Sequence, residues 1–346
     1  MTMTRSERTA LLTPPSPGLH PKRLIALMEA AVERCRLDLS GAVVFTEAAS
    51  GPYVVTPLLA ALAGAKKVFA LARTTSYGSR EDVAAQTCAL ADLFGVRGRI
   101  EIVSEKSFDV LRQADIVTNS GHLRPLDAKT IRALKPTAVI PLMYEAWEFR
   151  EDDVDLHECR ARGIRVAGTN ECHPAIDVFS FLGMMAVKLL TDGGVAVYGS
   201  RILLVCDNPF ATFLHTSLEQ AGAVVDECEV LPTVHEPQDH DAILVALRPT
   251  AEPVIGSDDA FRIGTYWRRA IVAQFWGDLD RVALAEADVP VAPTNAPPAG
   301  HMGVLPSRIG PEPVIRLQSG GLKVGEVLSK GPTARADEWT FTQPLC

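Results

Sequence analysis

The chain has 346 residues, of which 47% are hydrophobic and 22% charged, an ordinary globular balance with enough apolar surface for two cores. Its 34 basic and 42 acidic residues give a net charge of −8, which argues against charge-driven binding of nucleic acid. No run of roughly 18 apolar residues predicts a membrane-spanning helix, and the seven cysteines lack a C-x-x-C pair and read as reduced thiols of a cytoplasmic protein.

Residues 1–18 are polar and Pro-containing, which predicts a mobile tail without a secretory signal. In "HPKRLIALMEAAVERCRLDL" the spacing of Leu24, Ile25, Met28, Ala31 and Val32 predicts a helix over roughly 21–38. "GAVVFTEA" reads as a buried strand. "YVVTPLLAALAGA" reads as a helix stopping at Gly64, with Pro57 tolerated only near its first turn. The strand "KKVFALA" follows, then a helix over about 80–94, then strands at "RIEIVS", "ADIVTNS", "TAVIPLM" and "IRVAGTN". The apolar helix "AIDVFSFLGMMAVKLLTDGG" comes next. Beyond it lie the strand "RILLVCD", a helix near 211–221, and strands "AVVDECEV", "DAILVAL", "RAIVAQF" and "VPVAPTN".

Strands alternating with helices predict an α/β fold of two Rossmann-like lobes with parallel sheets, joined by the apolar crossover helix. The expected boundaries are a first lobe over 19–185, a second and smaller lobe over 186–320, and a C-terminal helix and tail over 321–346, with the option of a return to the first lobe. An internal match supports two related lobes. "IRVAGTNECHPA" (164–175) and "VPVAPTNAPPAG" (289–300) share V-A-x-T-N behind a β-branched apolar residue, and each follows a strand ending in aromatic and acidic residues. The second half lacks a counterpart of "RIEIV", so its sheet is expected to have five strands. The stretch "DVFSFLGMMAVKLL" suits a core helix and a homodimer interface equally.

Two such lobes joined by an apolar helix resemble the formate/glycerate-dehydrogenase-like architecture of the D-2-hydroxyacid dehydrogenases. "GIRVAGTN" (163–170) is similar to that family's G-I-x-V-x-N before the linking helix. The family carries its Gly-rich turn in the second lobe, where this chain reads "VCDNPFATFL" (205–214) without a glycine, so its catalytic Arg, Glu and His are not carried over. "GAKKVFALART" is similar to the second-strand region of shikimate-dehydrogenase-type NADP lobes. "ADIVTNSG" with "LKPTAVI" resembles the fourth and fifth strands of the shikimate-dehydrogenase and ornithine-cyclodeaminase groups. The resemblance implies a nicotinamide cofactor on the first lobe, with Thr118 and Asn119 beside its nicotinamide half.

The residues themselves permit this reading. Ser50 and Gly51 in "EAASGPY" are small at a strand-to-helix turn, where backbone N–H groups attract a pyrophosphate, although a tight turn that binds nothing reads the same way. Arg73, Thr74, Thr75 and Ser76 at the second strand's end suit a 2′-phosphate, favouring NADP while leaving NAD possible. His122 is a candidate proton donor and Glu145 an orienting or basic partner, with Tyr144 and Glu148 nearby. Asn170, Glu171 and His173 are expected at the cleft between lobes, with Asn295 and His301 as their second-lobe counterparts. His173 is a further candidate proton donor, and no feature marks Cys172 as an activated thiol. Arg308 and Arg316 are candidate clamps for a carboxylate or phosphate. "HEPQDH" (235–240) fails the zincin spacing and reads as a hydrated loop, so no metal is expected.

The expected activity is an NAD(P)-dependent oxidation or reduction of a small polar metabolite at a carbonyl or imine, in the cleft between lobes. One alternative is an enzyme using S-adenosylmethionine or another adenosyl ligand, since Glu47 to Gly51 resembles the acidic-then-Gly turn of such methyltransferases. Another is a non-catalytic metabolite-binding or dimeric scaffold protein of Rossmann descent.

Overall fold

The apolar runs gather into two sheets. The computed structural model describes residues 17–345, so most of the expected tail lies outside the described residues. The chain divides into two units, one up to Val178 and again from Gly310 onward, the other Phe179–Ile309. These junctions come slightly earlier than the 185 and 320 read from the sequence, because the apolar linking helix belongs wholly to the second unit.

Unit 1 begins with α1 (Pro21–Cys35), β1 (Val43–Ala48), a 3-10 turn (Gly51–Val54) and α2 (Val55–Leu62). It continues through β2 (Lys67–Ala72), α3 (Arg80–Leu93), β3 (Ile100–Val103), α4 (Phe108–Leu111), β4 (Ile116–Val117), α5 (Ala128–Ala133), β5 (Val139–Pro141), α6 (Leu156–Arg162) and β6 (Arg165–Thr169). Unit 2 holds α7 (Leu182–Asp192), β7 (Arg201–Cys206), α8 (Phe210–Gln220), β8 (Val224–Cys228), β9 (Ala242–Ala246), α9 (Ser257–Tyr266), β10 (Ile271–Trp276), α10 (Arg281–Glu286) and β11 (Val291–Ala292). The chain then re-enters unit 1 as α11 (Pro311–Lys330) and β12 (Thr342–Pro344).

The unit 1 sheet runs β12-β6-β5-β4-β1-β2-β3. Without β12 this is the dinucleotide-fold order, in which strand order reverses between β1 and β4. Its strands are parallel except β12, which pairs antiparallel with β6 and corrects the expectation of a wholly parallel sheet. The segment "TFTQP" has no apolar alternation to announce a strand. Unit 2 runs β11-β10-β9-β7-β8, five parallel strands in the flavodoxin-like order, as the missing "RIEIV" counterpart implied. β6 and β11, which lead into the shared V-A-x-T-N, hold corresponding places in the two sheets.

β1 and β2 are buried along nearly their whole length, as expected of strands covered on both faces. One face packs against α1, α2, α3 and α11, the other against α4, α5 and α6. α11 lies close enough to the sheet to require glycines. A Cβ on Gly321 would sit 2.3 Å from Met143 Sδ, and one on Gly325 would sit 2.7 Å from Ile116 Cγ2. The same helix carries a buried ammonium. Lys323 Nζ donates to Arg36 O at 3.0 Å, Glu326 Oε1 at 2.8 Å and Glu338 Oε1 at 3.1 Å, so both carboxylates compensate its burial. Lys330 and Lys323 together hold the Glu338 carboxyl down at about 2, with a hydrogen bond from the Arg335 backbone N–H contributing.

Candidate functional site

Ligands of open α/β sheets lie outside the carboxyl ends of the strands, where strand order reverses. In unit 1 that point is between β1 and β4. Three hydroxyls close the gap between these strands: Thr46 and Thr118 are 2.8 Å apart, and Thr118 and Ser120 are 2.7 Å apart. All three are buried. Asn119 is buried beside them. Its Oδ1 accepts from Met143 N at 2.8 Å, while its Nδ2 has no hydrogen-bond partner.

Above this layer sits a pair that the sequence did not join. Glu47, at the end of β1, is only 4% exposed. Its Oε2 accepts the His122 backbone N–H at 3.2 Å and lies 3.4 Å from His122 Nδ1. His122 Nε2 lies 2.6 Å from Leu71 O on β2 and must donate, because a carbonyl only accepts. His122 Nδ1 and Glu47 Oε2 therefore face one another at 3.4 Å. Burial raises the Glu47 pKa, and the positive charge available to His122 and Arg124 pulls it partly back. Since β4 and β2 flank β1, with neighbouring strands about 4.8 Å apart, the imidazole reaches across the end of β1. The Glu47 carboxylate is thus engaged with His122.

The adjoining turn keeps part of its expected character. Gly51 has φ +61°, and no atom lies within 4 Å of where its Cβ would be, so that side is open. The Ser50 hydroxyl donates to Tyr77 O at 3.4 Å. Past β2, Arg73, Thr74, Thr75 and Ser76 are all exposed. Thr74 Oγ1 accepts from Arg80 N and Thr75 Oγ1 from Tyr77 N, each at 3.1 Å, which shapes the loop. Arg73 has no hydrogen-bond or ion-pair partner among the described residues.

The sequence reading missed Lys106, which follows β3. Its ammonium donates to Leu123 O at 3.2 Å and Pro125 O at 2.7 Å. Burial is the main cause that lowers its pKa; Asp127 opposes the shift and Arg73 adds to it, which puts the two cations in the same neighbourhood. Lys106 also lines a cleft of about 410 Å³ with Phe108, Leu111, Asp127 and Thr130. The Phe108 ring is 65% exposed there. No periodicity links residues 73, 106 and 122; only the strand order does.

At the ends of β5 and β6 the expected residues come together, and each is already engaged. Tyr144 Oη donates to Asp153 at 2.6 Å, which together with burial raises its pKa well above the ordinary phenol value. The Glu145 carboxylate accepts from Glu171 N at 2.6 Å, from Trp147 Nε1 at 3.1 Å and from Gln343 Nε2. These donors tie it to the loop and to the β12 segment, and its expected role as an orienting or basic partner stays a proposal. Asn170 N and Nδ2 both donate to the C-terminal segment, to Phe341 O and Thr340 O at 3.0 Å. His173 Nδ1 accepts from Ala175 N at 3.1 Å, Nε2 lies 3.1 Å from Thr340 Oγ1, and the ring stacks on Phe341 at 3.8 Å. Burial lowers its pKa. These contacts fasten His173 to that segment, and its expected role as a proton donor stays a proposal. Burial pushes Glu148 up to about 7, with the neighbouring Glu145 charge adding to the shift. Glu171 is raised too, by burial and then by Glu148 and Glu145. The exposed Cys172 thiol is pushed up to about 11, first by desolvation and then by Glu145 and Glu171.

In unit 2, Asn295 is exposed, His301 is half-buried with its N–H on Pro298 O at 3.0 Å, and the exposed Arg308 reaches Asp192 at 3.5 Å. Arg316 belongs to unit 1 and pairs with Asp177 at 3.0 Å and Glu312 at 2.9 Å. The β7-to-α8 turn is filled by Asn208, whose Oδ1 accepts Phe210 N at 3.1 Å and so occupies the helix terminus. The stretch read as a hydrated loop ends in a buried residue. His240 Nδ1 accepts from Trp267 Nε1 at 3.2 Å and Nε2 meets Asp226 at 2.9 Å. The six described cysteines are free thiols, and no described helix is long and apolar enough to cross a membrane.

No family model and no curated protein sequence matches the chain. Its fold is similar to that of a dipicolinate synthase from Bacillus halodurans, with a TM-score of 0.54 at 9% identity over 84% of this chain and 99% of that one. The dipicolinate synthase of Bacillus subtilis gives 0.50 at 9% identity over 85% and 97%. An NADPH-dependent glyoxylate/hydroxypyruvate reductase from Sinorhizobium meliloti gives 0.47 at 14% identity over 86% and 95%. The two dipicolinate synthases show the likeness of fold alone: an α/β chain with two Rossmann-like sheets.

Proposed function

We propose that unit 1 binds a nicotinamide dinucleotide, NADP in preference to NAD, and that the protein is an oxidoreductase acting on a small polar metabolite with a carbonyl or imine. The observation that carries this reading is the His122–Glu47 pair at the β1/β4 reversal, in the same sheet whose β2 ends in an unpartnered Arg73. The residues present fit such a ligand. Gly51 leaves an open approach to the turn, Asn119 Nδ2 is a buried donor without an acceptor, and Arg73 with Lys106 supplies positive charge for a 2′-phosphate.

The cofactor, when bound, supplies the hydride chemistry. This chain supplies position and a proton. The Leu71 carbonyl fixes the His122 ring, and the His122–Glu47 pair is the proton donor proposed for a reacting oxygen or nitrogen. The expected substrate contacts at Asn170, Asn295, His301 and Arg308 remain part of the proposal.

A second reading has its own support. Glu145 and His173 are engaged within the fold and Asn208 fills the unit 2 helix terminus, as in a protein that keeps the architecture to bind a metabolite without transforming it. Thermal unfolding with NADP⁺, NAD⁺, S-adenosylmethionine or buffer alone separates the readings, because a ligand of the folded form raises the transition by mass action. The proposal expects the largest shift with NADP⁺, reduced in Arg73→Ala. No shift with either nicotinamide dinucleotide at millimolar concentration refutes it.

A further inference from the structure

The edge of the unit 1 sheet opposite the β1/β4 crevice carries an unusual concentration of positive charge. The turns entering β2 and β3 bring Lys66, Lys67, Arg97 and Arg99 around a cleft of about 590 Å³. Ile100 and Ile102 of β3 line it, with α3 forming a wall. Glu101 is the one acid among its lining residues, so the local charge is 4 − 1 = +3 in a chain whose net charge is −8.

Two of the cations are fixed before any ligand arrives. Arg99 Nη1 donates to Gly64 O and Ala65 O, both at 2.8 Å, and Arg97 Nη1 donates to Ile100 O at 2.7 Å. A guanidinium has five N–H donors, so each Arg keeps most of its fork for a planar oxyanion and loses little side-chain freedom on binding it. Lys67 is held between Glu101 at 2.6 Å and the Phe69 ring at 4.3 Å. Lys66 has no side-chain partner among the described residues and is exposed. Gly98, between the two arginines, has nothing within 4 Å of its Cβ position, leaving the backbone there open to a ligand. Four like charges around one cleft repel one another, a cost that a bound counter-charge removes.

We propose that this cleft is a second ligand site, for a small multiply charged anion bearing phosphate or carboxylate groups. It lies at the strands' amino ends, whereas the crevice lies at their carboxyl ends, so it stands or falls separately from the cofactor reading.

The test is titration calorimetry of the full chain in phosphate-free buffer at physiological ionic strength, with inorganic pyrophosphate as the phosphate probe and citrate as the carboxylate probe. Saturable binding of either is expected, and the better of the two identifies the ligand class. Lys66→Glu is expected to weaken that binding by roughly tenfold or more, the scale of one charge-assisted contact turned repulsive. Arg97→Gln tests the same cleft from the other turn, and serves if the first variant fails to fold. Absence of saturable binding of both probes at millimolar concentration overturns the proposal. So does binding that both variants retain at the parent's affinity.

Discussion

Replacing Glu148 by Gln is expected to stabilise the protein by an amount that grows as pH rises from about 4.5 and is full from about 7 upward. Glu148 ends the 3-10 turn Ala146–Glu148 beyond β5, where burial and the Glu145 charge raise its pKa from an ordinary 4.5 to about 7. A shift of 2.5 units corresponds to about 3 kcal/mol at about 1.36 kcal/mol per unit. The sign follows from the direction of the shift. Between roughly pH 4.5 and 7 the folded chain keeps a proton that the unfolded chain has released, so this contribution is full at the acid end and is lost as pH rises through 7. Gln carries no charge at any pH. The variant should match the parent near pH 5 and exceed it at pH 8 by up to about 3 kcal/mol. Glu171 still titrates beside it, so a reduced pH dependence should persist. Urea denaturation at the two pH values, followed by circular dichroism, measures the difference. Parallel pH profiles for the two proteins would refute the claim that Glu148 carries a buried charge at neutral pH.

Three further outcomes are expected. Gly121→Ala should lower the thermal transition by the equivalent of more than about 2 kcal/mol, since a Cβ there would lie 1.7 Å from Glu47 Oε2 on a backbone at φ +42°; an unchanged transition would mean that the loop does not rest on that carboxylate. Lys323→Met should cost about 3–5 kcal/mol in urea denaturation, because two buried carboxylates lose their shared ammonium and only Lys330 still reaches both. Cys172, exposed but with its thiol near 11 against an ordinary 9.0, should be alkylated by iodoacetamide at pH 8 about a hundredfold more slowly than a free thiol; mass spectrometry showing modification at the free-thiol rate would contradict the assigned electrostatics.

The parts of the fold visible in the sequence are those governed by short-range pattern. β1 and β2 announce themselves as mainly apolar runs because both faces are covered, and α3 begins at Arg80 behind a Ser79 cap, where the sequence suggested. β12 was hidden because it is a three-residue antiparallel edge strand whose pairing with β6 is a tertiary matter. The site divides in the same way. His122, Thr118 and Asn119 were legible as residues just past a strand end. That His122 meets Glu47 and Leu71, or that Lys106 shares Arg73's neighbourhood, depends on β1 lying between β4 and β2, which no local spacing encodes. The contacts of Glu145 and His173 with the 340–343 segment were hidden for a related reason: the sequence offered a return of the C-terminal tail to the first lobe but not its pairing with β6.

The discontinuity of unit 1 also sets a schedule for biosynthesis. Strands β1 to β6 are translated before Val178, but α11, which closes the same core, is complete only at Lys330, 330 − 178 = 152 residues later. At roughly 5–20 residues per second, the sheet waits about 8–30 s with only the strip later covered by α11 left open, while unit 2 is synthesised. During that interval Ile116 and Met143, later covered by α11, are exposed apolar surface on a nascent chain. The last-made helix is therefore the step that commits the first-made sheet, and ribosome pausing between residues 179 and 310 would lengthen the period in which a chaperone has a binding site to protect.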